Sequence, residues 1–299
     1  MKNRGRATAV IVVLIAVAAA AGPALRAQAA QRSMYVSVLD RSGAPVPGLG
    51  PSDFIVREDR VAREVLSVES ARDPMQIALL VDNSQAAEAF IRDYREALPA
   101  FVAAMIDPDS PRNQIALIAL AERPTILSDY TSDAAQLQKG IGRVFAMSGS
   151  GTYLLDGIIE TSRGITRRGS TRPVIVAITS EGMELSDRQY QQVLEPLKES
   201  GAAFHVIVVG SPRNNDQDRS VVLDQGTRDS GGRYDTILAS TALTGKMKEV
   251  ARELKSQYRV TYARPQTLIP PEQITVAAAK PGLTARGTPA RDDREVRRP

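Results

Sequence analysis

Two rhythms of apolar and polar positions divide the chain. From Ser33 to about Asp73 the apolar residues fall in short alternating runs broken by glycine and proline. Met34-Tyr35-Val36-Ser37-Val38-Leu39 alternates with period two, as a half-buried strand does, and Arg41-Ser42-Gly43 turns it. Pro45–Gly50 reads as a rigid connector. Asp53–Glu58 predicts a second strand, Asp59-Arg60 a turn and Glu64–Val68 a third strand. A β module of roughly 40 residues buries little surface by itself, so it is expected to pack on its neighbour.

From Met75 the rhythm becomes strand–helix alternation. Gln76–Val81 is a continuous apolar run, the pattern of a central parallel strand covered on both faces. Residues 86–106 have helical spacing, with Phe90, Ala97, Phe101 and Met105 on one side. Further strands are predicted at 114–120, 173–179, 202–209 and 258–263, and further helices at 132–141, 153–167, 187–200, 219–229 and 241–257. Pro173 suits the first residue of its strand and Gly201 the end of the helix before it. This alternation implies an α/β fold with a doubly wound, mostly parallel sheet, helices on both faces, and the small β module ahead of it. Residues 211–218 read as a polar loop, and Gln273–Ala279 as a last strand. The expected divisions are a β module at 30–73, the α/β domain at 74–264, a strand extension at 265–286 and an unstructured tail at 287–299.

Residues 1–29 have the anatomy of a secretory signal. Lys2, Arg4 and Arg6 precede an apolar run from Ala7 to Ala21, Pro23 interrupts it, and Ala27-Gln28-Ala29 is a small-residue cleavage pattern. The run falls short of the ~20 residues a helix needs to span a bilayer. The expectation is export to the periplasm or the medium of a bacterium, a mature start near Ala30, and no stable membrane anchor after cleavage. An uncleaved anchor is the alternative.

Charge then loses its apparent meaning. The formal net charge of +4 equals the contribution of Lys2, Arg4, Arg6 and Arg26, so the rest of the chain is balanced. Without a persistent positive field a nucleic-acid partner is not expected. The absence of Cys excludes disulfides, thiolate catalysis and Cys-based zinc sites, and a single His excludes paired-His metal centres. Aromatics at 4% argue against a stacking surface. His205, mid-run in a predicted strand, reads as a neutral, hydrogen-bonded core histidine. No G-x-S-x-G elbow, P-loop or dinucleotide fingerprint is present, so no catalytic residue is expected.

Ligands of open α/β sheets bind beyond the carboxyl ends of the strands. Three oxygen-rich clusters fall there: Val81-Asp82-Asn83-Ser84, Ser148-Gly149-Ser150-Gly151-Thr152, and Ile178-Thr179-Ser180-Glu181-Gly182. Hydroxyls and carboxylates on one edge suit a hard cation. Each cluster also has an ordinary structural role open to it, with Ser84 and Thr152 as helix caps and Ser180-Glu181 as a turn.

Ile77–Ser84, Gly151-Thr152-Tyr153-Leu154-Leu155-Asp156-Gly157 and Ser230-Gly231-Gly232-Arg233-Tyr234, in that order, resemble the von Willebrand factor A (vWA) domain family. The preceding Val38-Leu39-Asp40, Gly43–Val46, Asp53-Phe54 and Glu58-Asp59, with the later Tyr258–Tyr262 and Lys280–Leu283, resemble a secreted bacterial vWA-related group. The resemblance covers about residues 34–286. It implies a metal-ion-dependent adhesion site, where a D-x-S-x-S motif, a Thr and a later Asp hold a cation that receives an acidic side chain of a protein partner. Asp82, Ser84 and Thr152 match as metal ligands. Ala86 replaces the second serine, and Ser180 stands where the later acid would fall. Glu181, one residue on, either supplies the missing charge or faces solvent.

The resemblance therefore implies an exported protein-binding module, not an enzyme, whose docking edge comprises Asp82, Ser84, Thr152, Ser180 and Glu181. With a degenerate metal site no cofactor is expected. A metal-dependent adhesion module holding Mg²⁺ or Mn²⁺ is the first alternative. An enzyme or small-ligand receptor, which needs a deep pocket at this edge, is the second.

Overall fold

The computed structural model describes residues 30–106, 112–211, 216–265 and 269–291. The signal-like segment 1–29, residues 212–215 of the 211–218 loop and the tail from 292 lie outside the described residues. Among the described residues thirteen strands form three sheets: β1 (Ala30–Leu39), β2 (Phe54–Glu58), β3 (Val61–Arg63), β4 (Val65–Ser70), β5 (Gln76–Val81), β6 (Gln114–Ala119), β7 (Thr125–Thr131), β8 (Pro173–Ser180), β9 (Ala203–Val209), β10 (Tyr234–Ile237), β11 (Tyr258–Arg264), β12 (Ile274–Ala278) and β13 (Thr284–Pro289). The helices are α1 (Ile91–Met105), α2 (Ala134–Ile141), α3 (Leu154–Arg168), α4 (Tyr190–Ser200), α5 (Gln217–Asp229) and α6 (Leu243–Lys255).

The central sheet has the order β10-β9-β8-β5-β6-β7, parallel except for the antiparallel β6–β7 pair. Its apolar runs are divided by the pleat. Ile77, Leu79 and Val81 of β5, with Val174, Val176 and Ile178 of β8, face the layer that holds α1 and α6. Ala78 and Leu80, with Ile175 and Ala177, face α3, α4 and α5. Both faces need apolar cover, which is why these strands read as unbroken hydrophobic runs.

The strand predicted at 258–263 forms as β11, but it leaves the parallel sheet. It pairs antiparallel with β1 and β4 in a second sheet ordered β13-β1-β11-β4. A third sheet, β12-β2-β3, closes over it around Met34, Val36, Val38, Phe54, Val56, Tyr258, Val260 and Tyr262. The β module is thus a sandwich completed by strands from beyond the α/β domain, which resolves how so short a module obtains a core. Residues 287–289, expected to open the unstructured tail, are paired strand residues: Gly287 meets Val36 and Pro289 meets Met34.

The other face of β1 packs against the base of the α/β domain. The Arg172 guanidinium lies 4.8 Å over the Tyr35 ring and donates to the carbonyls of Asp73 and Leu254 and to Gln257 Oε1. Gln257 Nε2 in turn donates to Ser37 Oγ. Arg172 immediately precedes β8, so the sandwich braces the amino ends of the parallel strands and leaves their carboxyl ends free.

Candidate functional site

Asp82 follows the last residue of β5, where the parallel sheet delivers it to the free edge. Its backbone N–H still bonds to Ile178 O at 2.8 Å, which fixes the side chain beside the end of β8. One carboxylate oxygen accepts from Ser84 N at 2.9 Å. The other accepts from Ser180 N at 2.9 Å and from Ser180 Oγ at 2.5 Å. Asp82, Ser84 and Thr152 are each 0% exposed and Ser180 is 1% exposed. The neutral hydroxyl at 180 does what a second carboxylate there could not: it donates to Asp82.

Ser84 and Thr152 depart from the capping roles the sequence leaves open to them. Ser84 precedes a short 3₁₀ turn, Gln85–Phe90, without a side-chain cap bond, and the predicted 86–106 helix begins as a regular α-helix only at Ile91. The residue preceding α3 is Tyr153, not Thr152. Thr152 sits instead in backbone bridges to Ala121 and Glu184, donating to Met183 O at 2.9 Å and accepting from Leu185 N at 2.8 Å. The hydroxyls of Ser84 and Thr152 are buried without a hydrogen-bond partner.

Glu181 does not face solvent. It is 3.6 Å from Arg219 Nη1, and both side chains are buried. Arg219 is a residue the sequence reading missed. From the first turn of α5 its guanidinium donates to Thr179 Oγ1 and to Ser180 O, at 3.2 and 3.0 Å. Asp216 caps that turn by accepting from Arg219 N, so an Asp followed three residues later by Arg was the available signal. Asn83, a member of the first oxygen-rich cluster, was assigned no role there. Its Oδ1 accepts from the N–H groups of Leu120 and Ala121 and its Nδ2 donates to Phe145 O, tying the loops after β6 and α2 to the edge.

Gly182 closes the edge from above. A Cβ on it would lie 2.6 Å from Ala86 Cβ, 3.7 Å from Ser180 Oγ and 3.8 Å from Ser84 Oγ. Close approach of two small residues thus covers the hydroxyls beneath. The outermost side chains here are apolar: Phe145 (58% exposed), Met147 (39%), Met183 (71%) and Leu185 (41%). Their backbones are linked through the site. Met147 N bonds to Asn83 O, Ser150 N to Met147 O, Gln85 N to Ser150 O, and Thr152 bridges Met183 and Leu185.

Burial pushes the Glu184 carboxyl up to about 7, against hydrogen bonds from Ser186 that pull it down. Burial lowers His205 to about 4, so it is neutral as expected. Its ring nitrogens, however, have no hydrogen-bond partner among the described residues, which corrects the expectation of a bonded histidine. Neither a crevice of about 10 Å³ beside Tyr35 and Arg172 nor an open groove of about 460 Å³ beside Glu69 and Arg259 touches the Asp82 edge.

Asp82 at the end of a buried central parallel strand, the glycine-flanked Thr152 and the doubly wound sheet agree with a match of residues 77–183 to the family profile described as von Willebrand factor type A domain. Residues 77–183 are thus similar to the vWA domain in sequence, and the sheet around them has its fold. No curated sequence gives a significant match. Among solved structures, a von Willebrand factor type A protein from Catenulispora acidiphila is similar over 91% of this chain and 77% of its own, with 10% identity and a TM-score of 0.51. Proximal thread matrix protein 1 of the mussel byssus is similar over 67% of this chain, with 18% identity and a TM-score of 0.50; this chain spans 49% of it. The mussel protein has also been solved with zinc in its metal site (16% identity, TM-score 0.49, the same coverage). At these identities the likeness is one of fold.

A vWA metal site asks for oxygen donors and negative charge. The two unpartnered hydroxyls suit a cation, but Ala86 offers none, and both Asp82 oxygens are already engaged. Among the described residues no three His, Cys, Asp or Glu side chains form a metal-binding group. A divalent cation that leans on carboxylate charge and retains water finds one carboxylate, sealed from solvent. The donor set does not fit a resident Mg²⁺ or Mn²⁺ ion.

Proposed function

We propose that this chain is an exported protein-binding module that docks its partner at the carboxyl edge of the vWA sheet without a bound cation. The observation that carries the reading is the sealed Asp82. A carboxylate with no exposure and three internal donors cannot receive a partner's side chain. Asp82, Ser84, Thr152, Ser180 and Glu181 then act as the frame that holds the loops, and Phe145, Met147, Met183 and Leu185 are the contact surface. Exposed apolar groups clustered on one edge are what protein interfaces use, and their burial contributes roughly 25 cal/mol per Å². Export rests on the signal-like pattern of residues 1–29. No helix among the described residues is long and apolar enough to cross a membrane.

Metal-dependent adhesion is the second reading, favoured by the unpartnered Ser84 and Thr152 hydroxyls. Thermal unfolding in millimolar Mg²⁺ or Mn²⁺, then in chelator, separates the two. Binding to the native state alone raises stability by about 2.7 kcal/mol at a hundredfold excess over Kd. We expect no shift. A shift abolished by Asp82→Ala would overturn the cation-free reading. For docking itself, partner capture from an extracytoplasmic extract is run in chelator against a Phe145→Ser/Leu185→Ser variant. Capture by the variant equal to the unaltered protein would remove the rim from the interface.

A further inference from the structure

The distribution of sulfur in this chain is uneven. With no Cys, methionine is the sole oxidisable sulfur. Met34, Met75, Met105 and Met247 lie in packed cores at 0–2% exposure, whereas Met147 and Met183 are 39% and 71% exposed. Every exposed methionine among the described residues therefore stands on the rim of one edge. Met147 lies in the loop held by Asn83, and Met183 in the loop bridged by Thr152.

We propose that Met147 and Met183 form an oxidation-sensitive modification site, at which a peroxide converts the apolar rim into a polar one. The thioether sulfur attacks one peroxide oxygen and an S–O bond forms as the O–O bond breaks. Sulfur loses two electrons to the peroxide, and the departing hydroxide takes a proton to become water. The product, methionine sulfoxide, is polar, and such a change disrupts methionine-rich contact surfaces. Enzymatic reduction by methionine sulfoxide reductases restores the thioether, so the change is a reversible one. That oxidation weakens docking rests on the reading of this rim as the contact surface; its selectivity does not.

The test treats the full chain with hydrogen peroxide and follows each methionine-containing peptide by mass spectrometry. Met147 and Met183 should each gain one oxygen at least about tenfold faster than the four core methionines, which react only through opening of the core. Retention on a phenyl matrix should fall as they react, recover after reductase treatment, and remain unchanged by peroxide in a Met147→Leu/Met183→Leu variant. Equal oxidation rates for core and rim methionines, or unchanged retention with both rim residues oxidised, would overturn the proposal. Neither readout needs the partner. A failed capture experiment would therefore sink the docking reading and leave the oxidation result standing.

Discussion

Ser180→Asp is the substitution that interrogates the edge most directly. In the native site the Ser180 hydroxyl and N–H both donate to one Asp82 oxygen, at 2.5 and 2.9 Å, with both residues buried. A hydrogen bond to a charged group contributes about 1.5–3 kcal/mol. The substitution removes that bond and places a second carboxylate at hydrogen-bond range in a site closed to water. An uncompensated buried charge makes the expected loss about 3–5 kcal/mol in chelator at pH 8. For a chain of this size that is a fall in Tm of roughly 6–20 °C. Two facing carboxylates do not both ionise easily, so one pKa rises above its unfolded value of about 3.9. The folded state then binds the extra proton, and stability falls as pH rises through the raised pKa. The variant should accordingly recover stability between pH 8 and pH 5. It should also recover about 2.7 kcal/mol, half of the loss or more, in Mg²⁺ at a hundredfold excess over Kd, and further with Ala86→Ser, which returns the missing hydroxyl. Scanning calorimetry reads all four conditions. A variant as stable as the unaltered protein at pH 8 would refute the sealed carboxylate. Equal stabilisation of both proteins by Mg²⁺ would refute the claim that neutral Ser180 keeps the cation out.

Three further outcomes follow from the same geometry. Gly182→Ala drives a methyl against Ala86 Cβ, 2.6 Å away, and should cost about 1–3 kcal/mol by urea unfolding; Ala86→Gly should recover much of it, and additive losses would count against the contact. Glu184 has a folded pKa raised to about 7, so it contributes a loss of about 3 kcal/mol of stability as pH rises from about 4.5 to 7, a contribution that Glu184→Gln removes. His205 has a folded pKa lowered to about 4, among Glu253, Arg286, Arg233 and Asp235. It removes about 3 kcal/mol as pH falls from about 6.5 to 4. The two slopes oppose each other, so the unaltered protein should be nearly flat from about pH 4.5 to 6.5. Glu184→Gln should then destabilise on acidification and His205→Leu should stabilise; a flat profile in either variant would show the assignment wrong.

How legible these features were depends on whether their cause is local. β5, β8 and β9 announce themselves because burial on both faces demands unbroken apolar runs. β7 and β10 were missed because edge strands are partly solvated and carry Ser, Asp, Thr and Tyr. β13 was missed because Gly287 and Pro289 read as a tail. β11 was visible as a strand through the alternation of Tyr258, Val260 and Tyr262, yet its partner was not, since pairing with residues more than two hundred positions earlier leaves no trace in a window. The site divides in the same way. Asp82, Ser84, Thr152 and Ser180 were readable from motif order, whereas their burial arises from Gly182 settling on Ala86. The fate of Glu181 was set by Arg219, which arrives from another helix.

The pairing of β1 with β11 and β13 also bears on how the molecule comes into being. Met34 meets Pro289 and Tyr35 meets Thr288, contacts that span nearly the whole described chain. Such distant contacts are slow to form unless something shortens the search, because loop closure must precede any gain from the contact. The α/β unit between them is that something. Once it folds, its Gln76 and Lys255 ends are held near one another, and the long loop becomes a short one. β1 is made first and waits longest, an unpaired apolar strand exposed through almost all of synthesis. Folding of the sandwich is therefore expected to report on completion of the chain. A truncation before β11 would leave a formed α/β unit trailing a strand that sticks to other chains.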